Sequence, residues 1–130
     1  MKRSKAMSNI LKLVLTDHWF EEIKSGRKTH EYRECKWYWI KKIVMDATDR
    51  KDIYDWTTGN SDFKDLPRDL NELPFGFMYG FTKVEFQKAY RKNAEKMLFG
   101  VRDVYIRHGK DTDLKIDKWV FDIELGERIK

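Results

Sequence analysis

The segment LKLVLTDHWFEEIKSGRKTHEYR, residues 11–33, contains the signals that decide the fold. Its first five residues carry leucine at every second position, which is the pattern of a strand with one buried face. Thr16 or Asp17 is then a suitable N-cap for a helix, and the residues that follow have the spacing of a buried helical face: Trp19, Phe20 and Ile23. Gly26 readily adopts the left-handed conformation that commonly ends a helix. We therefore predict a strand, a short helix and a second strand.

The second predicted strand, residues 28–33, carries more charge than a strand needs for stability. Because alternate strand residues face the same side, Thr29, Glu31 and Arg33 share one face, with about 7 Å between the last two. An acceptor and a fork of donors at this separation suit the edge of a base or a phosphate beside it, and Lys28 has the reach to join them. The alternative is an exposed Glu31–Arg33 ion pair that contributes little to stability.

Gly26, Lys28 and Arg33 lie between an aromatic-containing helix and a strand, and they match the G-x-K-x-x-x-x-R signature of the ASCH domain family. The chain resembles this family, a branch of the PUA-like small β-barrels, and residues 80–106 and 120–129 resemble later strands of its phage-related members. The resemblance implies an α+β fold. The expected architecture is a small PUA-like mixed β-barrel with a short helix after the first strand and a long irregular middle connection.

The resemblance also implies alternative functions for the same segment. Some ASCH-like proteins bind RNA, and others are hydrolases that remove an acyl group from a modified cytidine with the help of the signature lysine. A binding module would use Gly26, Lys28, Glu31 and Arg33, whereas an enzyme would use Lys28 and Glu31 as catalytic residues. Glu31 stands where those hydrolases have a threonine, so the chain departs from their pattern. A non-enzymatic protein-interaction module of mobile-element origin is the third alternative.

The remaining sequence predicts one domain over residues 9–130, preceded by a disordered basic arm at residues 1–8. Residues 36–44 have the spacing of a short amphipathic helix, with a strand as the competing interpretation. The polar stretch 46–74 contains both prolines and is predicted to be a long irregular connection with one helical turn at 66–73. Three strand-like blocks follow, at 77–90, 97–106 and 119–129, and complete a closed or partly closed mixed barrel.

A second basic cluster lies in the turn between the first two of these blocks: Tyr90, Arg91, Lys92 and Asn93. Cations interleaved with aromatic rings suit single-stranded nucleic acid, through attraction to the backbone and stacking of bases. The alternative is that the cations are hydrated surface residues and that Tyr90 and Phe86 are core rings. Trp37 and Trp39 form either another aromatic platform or part of the core.

The 130 residues have a formal net charge of +5, from 27 basic and 22 acidic residues. This moderate excess favours a polyanionic partner such as RNA, single-stranded nucleic acid or a modified nucleoside, and it leaves the oligomeric state open. The single cysteine, Cys35, excludes an intrachain disulfide, and the three scattered histidines lack metal-ligand spacing, so we expect no metal and no cofactor. With no run of ~20 apolar residues and no signal peptide, we expect a cytoplasmic protein that does not enter a membrane.

Overall fold

A computed structural model describes residues 10–58 and 79–130 of the chain. Within these ranges it contains five strands and three α-helices, together with a short 3-10 turn at Gly109–Asp111. The strands are β1 (Ile10–Leu15), β2 (His30–Glu34), β3 (Lys83–Lys88), β4 (Lys96–His108) and β5 (Trp119–Arg128). The helices are α1 (Asp17–Lys24), α2 (Trp37–Ile43) and α3 (Ala47–Thr57). The predicted α+β class is confirmed.

The five strands form one mixed sheet in the order β1-β3-β4-β5-β2. β1 runs parallel to β3, with Ile10 opposite Lys83 and Leu15 opposite Lys88, and β3 runs antiparallel to β4. A parallel pair needs a crossover between its two strands, and here residues 16–82 form that connection. The predicted mixed sheet is therefore confirmed, while its closure into a PUA-like barrel stays a prediction.

The chain divides into two compact units. The first comprises Met1–Glu31, Phe81–Asp103 and Glu124–Lys130, and the second comprises Tyr32–Gly80 and Val104–Ile123. In the first unit the leucines of β1 are buried as predicted, and the rings of Phe86 and Phe99 pack edge to face with 5.8 Å between centroids. In the second unit the buried apolar residues come from α2, α3 and β5. They are Ile40 and Ile43 of α2, Ile53 of α3, and Val120, Phe121 and Ile123 of β5.

The predicted irregular connection at 46–74 is wrong for its first part, because α3 occupies Ala47–Thr57. The side chain of Asp46 caps this helix by accepting a hydrogen bond from the Asp49 backbone N–H at 3.0 Å. Ile53 is the only fully buried residue of α3, so the helix has little of the apolar periodicity on which sequence interpretation depends. The helical turn predicted at 66–73 and the arm predicted at 1–8 lie outside the described residues.

The remaining local predictions agree with the structure in most respects. The helix at 36–44 is confirmed as α2, and the three later strand-like blocks correspond to β3, β4 and β5, although β4 extends beyond its predicted block at both ends. Ile40 and Val44 are buried, but Trp37, which shares their predicted spacing, is 44% exposed. No helix in the described part of the chain is long and apolar enough to cross a membrane.

Candidate functional site

The loop after α1 turns sharply and places Lys28 next to the helix. Gly26 has a φ of 86°, as the sequence predicted, and its N–H donates to the Ile23 carbonyl at 3.1 Å. The backbone N–H of Lys28 then donates to the Glu22 carbonyl, also at 3.1 Å. Glu22 further accepts hydrogen bonds through its carboxylate from Arg27, the nearest at 2.9 Å. These contacts hold the chain against the last turn of α1 until β2 begins at His30.

Lys28 and Glu31 form a buried ion pair at the start of β2. The Nζ atom of Lys28 lies 3.6 Å from Oε1 of Glu31, and the two side chains are only 9% and 7% exposed. Moving two charges out of water costs desolvation free energy. The attraction between the two groups offsets part of that cost, so the pair adds little net stability. The structure thus brings together two of the three charged groups that the sequence placed in the candidate cleft.

Trp19 completes what we call the lysine site, defined as Lys28, Glu31 and Trp19. The Nζ atom of Lys28 lies 4.8 Å from the centroid of the Trp19 ring, which is a cation–π contact. Trp19 is half-buried, unlike its predicted partners Phe20 and Ile23, which are fully buried. An ammonium donor, a carboxylate acceptor and a partly accessible ring therefore come from three successive parts of the chain: α1, the loop and β2.

Arg33 belongs to the second compact unit, where it packs on Trp39. The guanidinium carbon lies 5.2 Å from the centroid of the Trp39 ring, and Nη1 donates to the Tyr32 carbonyl at 2.8 Å. The side chain is half-buried. The predicted convergence of Arg33 with Lys28 and Glu31 on one cleft stays a prediction.

The turn between β3 and β4 presents Tyr90 to solvent. Tyr90 is 89% exposed, so the alternative that it is a core ring is wrong, whereas Phe86 is indeed fully buried. Ala89 and Asn93 both have positive φ angles, 60° and 58°, which tighten the turn. Lys92 and Asn93 are exposed as well.

Arg91, the remaining residue of that basic cluster, is bound by an acidic residue of α1. Its Nη2 atom donates to both carboxylate oxygens of Asp17, at 2.7 and 2.6 Å. Through this hydrogen bond first and through its charge second, the Arg91 guanidinium lowers the pKa of the Asp17 carboxyl group. Arg91 therefore anchors the turn to α1, and a contact with a phosphate would have to compete with Asp17.

Sequence reasoning missed a second buried carboxylate, Asp122 in β5. Its side chain is 2% exposed and accepts a hydrogen bond from Nε of Arg107 at 2.6 Å. The signal was present in the sequence, because Asp122 interrupts the apolar run Val120, Phe121 and Ile123. Arg107 is 36% exposed and lies over the ring of Tyr105, 4.9 Å from its centroid, so one end of this pair reaches solvent.

The remaining candidates have structural explanations. Cys35 is buried, and burial raises the pKa of its thiol well above the usual range, so it is an inert small apolar residue. His18 is exposed in α1, and the His108 ring accepts a hydrogen bond from the Lys110 N–H and lies 3.2 Å from Asp117. Among residues 10–58 and 79–130, no group of three or more metal-ligating side chains is close enough to hold an ion.

No protein-family model, no curated protein sequence and no solved structure matches this chain.

Proposed function

We propose that this chain is an ASCH-like, PUA-like module that binds a base of RNA or of another nucleotide-like ligand at the lysine site. The observation that carries the proposal is the burial of the Lys28–Glu31 pair, at 9% and 7% exposure, beside a partly accessible tryptophan ring. A buried ion pair contributes little to stability. We therefore attribute the burial of these two charged groups to the recognition of a ligand.

The groups of the lysine site suit a nucleobase in type and number. A carboxylate accepts from an exocyclic amine such as that of cytosine, and an ammonium group donates to a ring nitrogen or carbonyl. An indole ring provides a surface for stacking, which every base can use. Tyr90, exposed on the turn between β3 and β4, offers a second ring in the same compact unit, and Lys92 offers a cation for the backbone of a strand.

The test is a titration of labelled single-stranded RNA and DNA of several base compositions over a range of salt concentrations. Glu31→Gln replaces the acceptor with an amide of the same size, so we expect it to change the base preference by about tenfold or more. Lys92→Ala should instead weaken binding equally for all sequences and reduce the salt slope by about 0.7.

Glu127→Gln is the matched control, since Glu127 is an exposed carboxylate of β5 in the same compact unit as Glu31. It should leave both the base preference and the salt slope unchanged. Absence of binding to every pool at low salt would remove the proposal, and binding with an unaltered base preference in Glu31→Gln would remove the role given to Glu31.

A hydrolase that removes an acyl group from a modified cytidine is a second candidate, favoured by the 3.6 Å separation of Lys28 and Glu31. Glu31 would take a proton from water, and the resulting hydroxide would attack the acyl carbonyl carbon. The Lys28 ammonium would stabilise the tetrahedral oxyanion. The C–N bond would then break as Glu31 returns the proton to the departing amine, which yields a carboxylic acid and cytidine.

Incubation with an N-acylated cytidine and detection of free cytidine by mass spectrometry tests this candidate. Glu31→Gln and Lys28→Met should each abolish product, while the control Glu127→Gln should retain it. Product that persists in both variants would show that other residues catalyse the reaction, and absence of product with the unaltered protein would leave the binding proposal alone in place.

A further inference from the structure

Helix α2 carries an exposed surface on which aromatic and cationic side chains alternate. At about 3.6 residues per turn, its solvent side presents four residues in the order Trp37, Lys41, Tyr38 and Lys42. We call this surface the aromatic–lysine face. The opposite side of the helix packs inward through Ile40 and Ile43, which are 0% and 1% exposed.

The two rings of this face are unusually accessible for their size. Trp37 is 44% exposed and Tyr38 is 54% exposed, and both are large residues that normally bury most of their area. Neither is needed to keep the helix amphipathic, because the aliphatic residues of α2 supply the buried side. Exposed rings in adjacent positions are more typical of an interaction site than of a surface with no partner.

The cations of the face stand directly over the rings. The Nζ atom of Lys41 lies 6.0 Å from the Trp37 centroid, and that of Lys42 lies 5.1 Å from the Tyr38 centroid. Among the described residues, no carboxylate is paired with either lysine. The surrounding segment 35–45 contains three lysines and no acidic residue, so the face has a locally positive charge that nothing in the segment compensates.

A groove adjoins the face on the side of α3. The rings of Trp37 and Tyr54 meet edge to face with 5.7 Å between centroids, and together with Lys51 and Asp55 they line a volume of about 420 Å³. This lies within the roughly 300–1,000 Å³ of small-molecule sites. Tyr54 is itself 36% exposed, which extends the aromatic surface beyond α2.

We propose that the aromatic–lysine face of α2 is a sequence-independent contact for single-stranded nucleic acid. Bases stack on Trp37 and Tyr38, and the ammonium groups of Lys41 and Lys42 neutralise the neighbouring phosphates. The occupant is a polyanion with flat faces because the surface supplies positive charge and rings in alternation. A purely structural role as two i, i+4 cation–π pairs would not require the exposure of the rings.

This inference rests on the proposed function in one respect, that nucleic acid is the ligand, and it adds a surface outside the lysine site. The experiment measures binding of a fluorescent single-stranded RNA of roughly 12 nucleotides and mixed sequence, by anisotropy over a range of salt concentrations. Trp37→Ala/Tyr38→Ala should weaken binding about tenfold or more for every sequence. Lys41→Gln/Lys42→Gln should reduce the salt slope by about 1.4.

Two controls separate the face from general effects. Trp37→Phe/Tyr38→Phe keeps both rings and should retain most of the affinity. Lys12→Gln/Lys96→Gln removes the same amount of charge from exposed positions that also have no ion-pair partner among the described residues, and it should change the salt slope less than the α2 variant does. Circular dichroism of each variant verifies that the exposed substitutions leave the fold intact.

Ultraviolet crosslinking provides an independent readout. Trypsin cleaves after Lys36 and Lys41, so a crosslink to the face appears on the peptide WYWIK, residues 37–41. If Trp37→Ala/Tyr38→Ala binds RNA as tightly as the wild type and no crosslink appears on this peptide, the inference is overturned. The lysine site would then be the only proposed contact that remains. Weakened binding in that variant, with no effect of Glu31→Gln on base preference, overturns the lysine site and leaves the face. No binding by the unaltered protein overturns both.

Discussion

The ion pair between Lys28 and Glu31 costs more desolvation free energy than an ion pair on the protein surface. Each charge has lost most of its hydration, and the 3.6 Å separation restores part of the lost free energy. The Trp19 ring adds a further attraction for the ammonium group at 4.8 Å. Two apolar side chains of the same volume would pack equally well in this position. The free energy of unfolding of such a variant therefore shows whether the ion pair is needed for the fold or is available for binding.

Single and double substitutions of the pair test this distinction. Glu31→Met leaves the Lys28 ammonium buried without its carboxylate and should lower the free energy of unfolding by about 3 kcal/mol. Lys28→Met/Glu31→Met removes both charges and should bring the protein within about 1 kcal/mol of the wild type. Urea denaturation measures both values.

Exposed residues provide the comparison for that experiment. Lys51 and Asp55 are paired at 2.7 Å, with Lys51 76% exposed, so Lys51→Met should leave the free energy of unfolding nearly unchanged. If the Lys28→Met/Glu31→Met variant lost as much stability as Glu31→Met alone, the pair would be required for the fold, and its burial would no longer indicate a role in recognition.

At the level of the secondary elements, the loop that joins α1 to β2 depends on the backbone of Gly26. An added Cβ would meet nothing within 4 Å, so the only penalty of Gly26→Ala is the φ of 86°. A left-handed conformation costs an L-residue about 1–2 kcal/mol, and we expect the midpoint of urea denaturation to fall accordingly. The loop carries Lys28, so the variant should also weaken ligand binding.

Gly100→Ala is the matched control for this substitution. In β4 an added Cβ would be in ordinary contact with the Glu127 carbonyl at 3.8 Å, and Gly100 is not among the glycines with a positive φ. Its replacement should leave stability unchanged or raise it by about 0.4–1 kcal/mol, because alanine restricts the unfolded chain. Equal destabilisation by both alanines would mean that φ at Gly26 is not the cause.

The contact between α1 and the β3–β4 turn depends on pH. The Arg91 guanidinium holds the pKa of Asp17 below its ordinary value of 3.8, so the contact is fully formed above that pH and is lost as the pH falls through the lowered pKa. We expect the Arg91 Nε–H resonance to be constant at neutral pH and to shift during an acid titration by NMR. In Asp17→Asn the resonance should have its shifted position already at neutral pH, and identical spectra for the two proteins would contradict the contact.

These elements also separate what the sequence could predict from what it could not. Periodicity identified β1 and α1, and the special conformation of Gly26 followed from its place after a helix. Helix α3 escaped prediction because it buries only Ile53 and begins at an Asp46 cap within a polar stretch. The role of Arg91 was equally hidden, since its partner Asp17 lies 74 positions away in the chain and only the fold brings the two together. The pairing of Lys28 with Glu31 was accessible because only three positions separate them.

For the molecule as a whole, the net charge of +5 overstates the cationic surface that a nucleic acid would meet. In the first compact unit, α1 and the β3–β4 region are joined by ion pairs, and others occur near chain turns of the second unit. Among the described residues, the pairs at 3.6 Å or less that involve exposed cations are Lys24–Glu95, Arg27–Glu22, Lys51–Asp55, Arg91–Asp17, Lys110–Asp117 and Lys118–Glu34. Each such pair satisfies a cation that would otherwise attract phosphates, so fewer remain for binding than the number of basic residues suggests.

The salt dependence of RNA binding should therefore be shallow. Lys41, Lys42 and Lys92 are exposed, have no ion-pair partner among the described residues and belong to the two surfaces proposed to bind the strand, so we expect them to neutralise phosphates. Three phosphate contacts to a single strand give a slope of log Kobs against log salt of about −2. Anisotropy titrations of the full chain at several salt concentrations measure it. A slope near −5 would require about seven contacts, drawn from the other exposed lysines and from ion-paired cations that exchange their carboxylates for phosphates on binding. In that case the loss of one carboxylate, as in Asp17→Asn, would release Arg91 and strengthen binding, whereas with the shallow slope the same variant should leave affinity nearly unchanged.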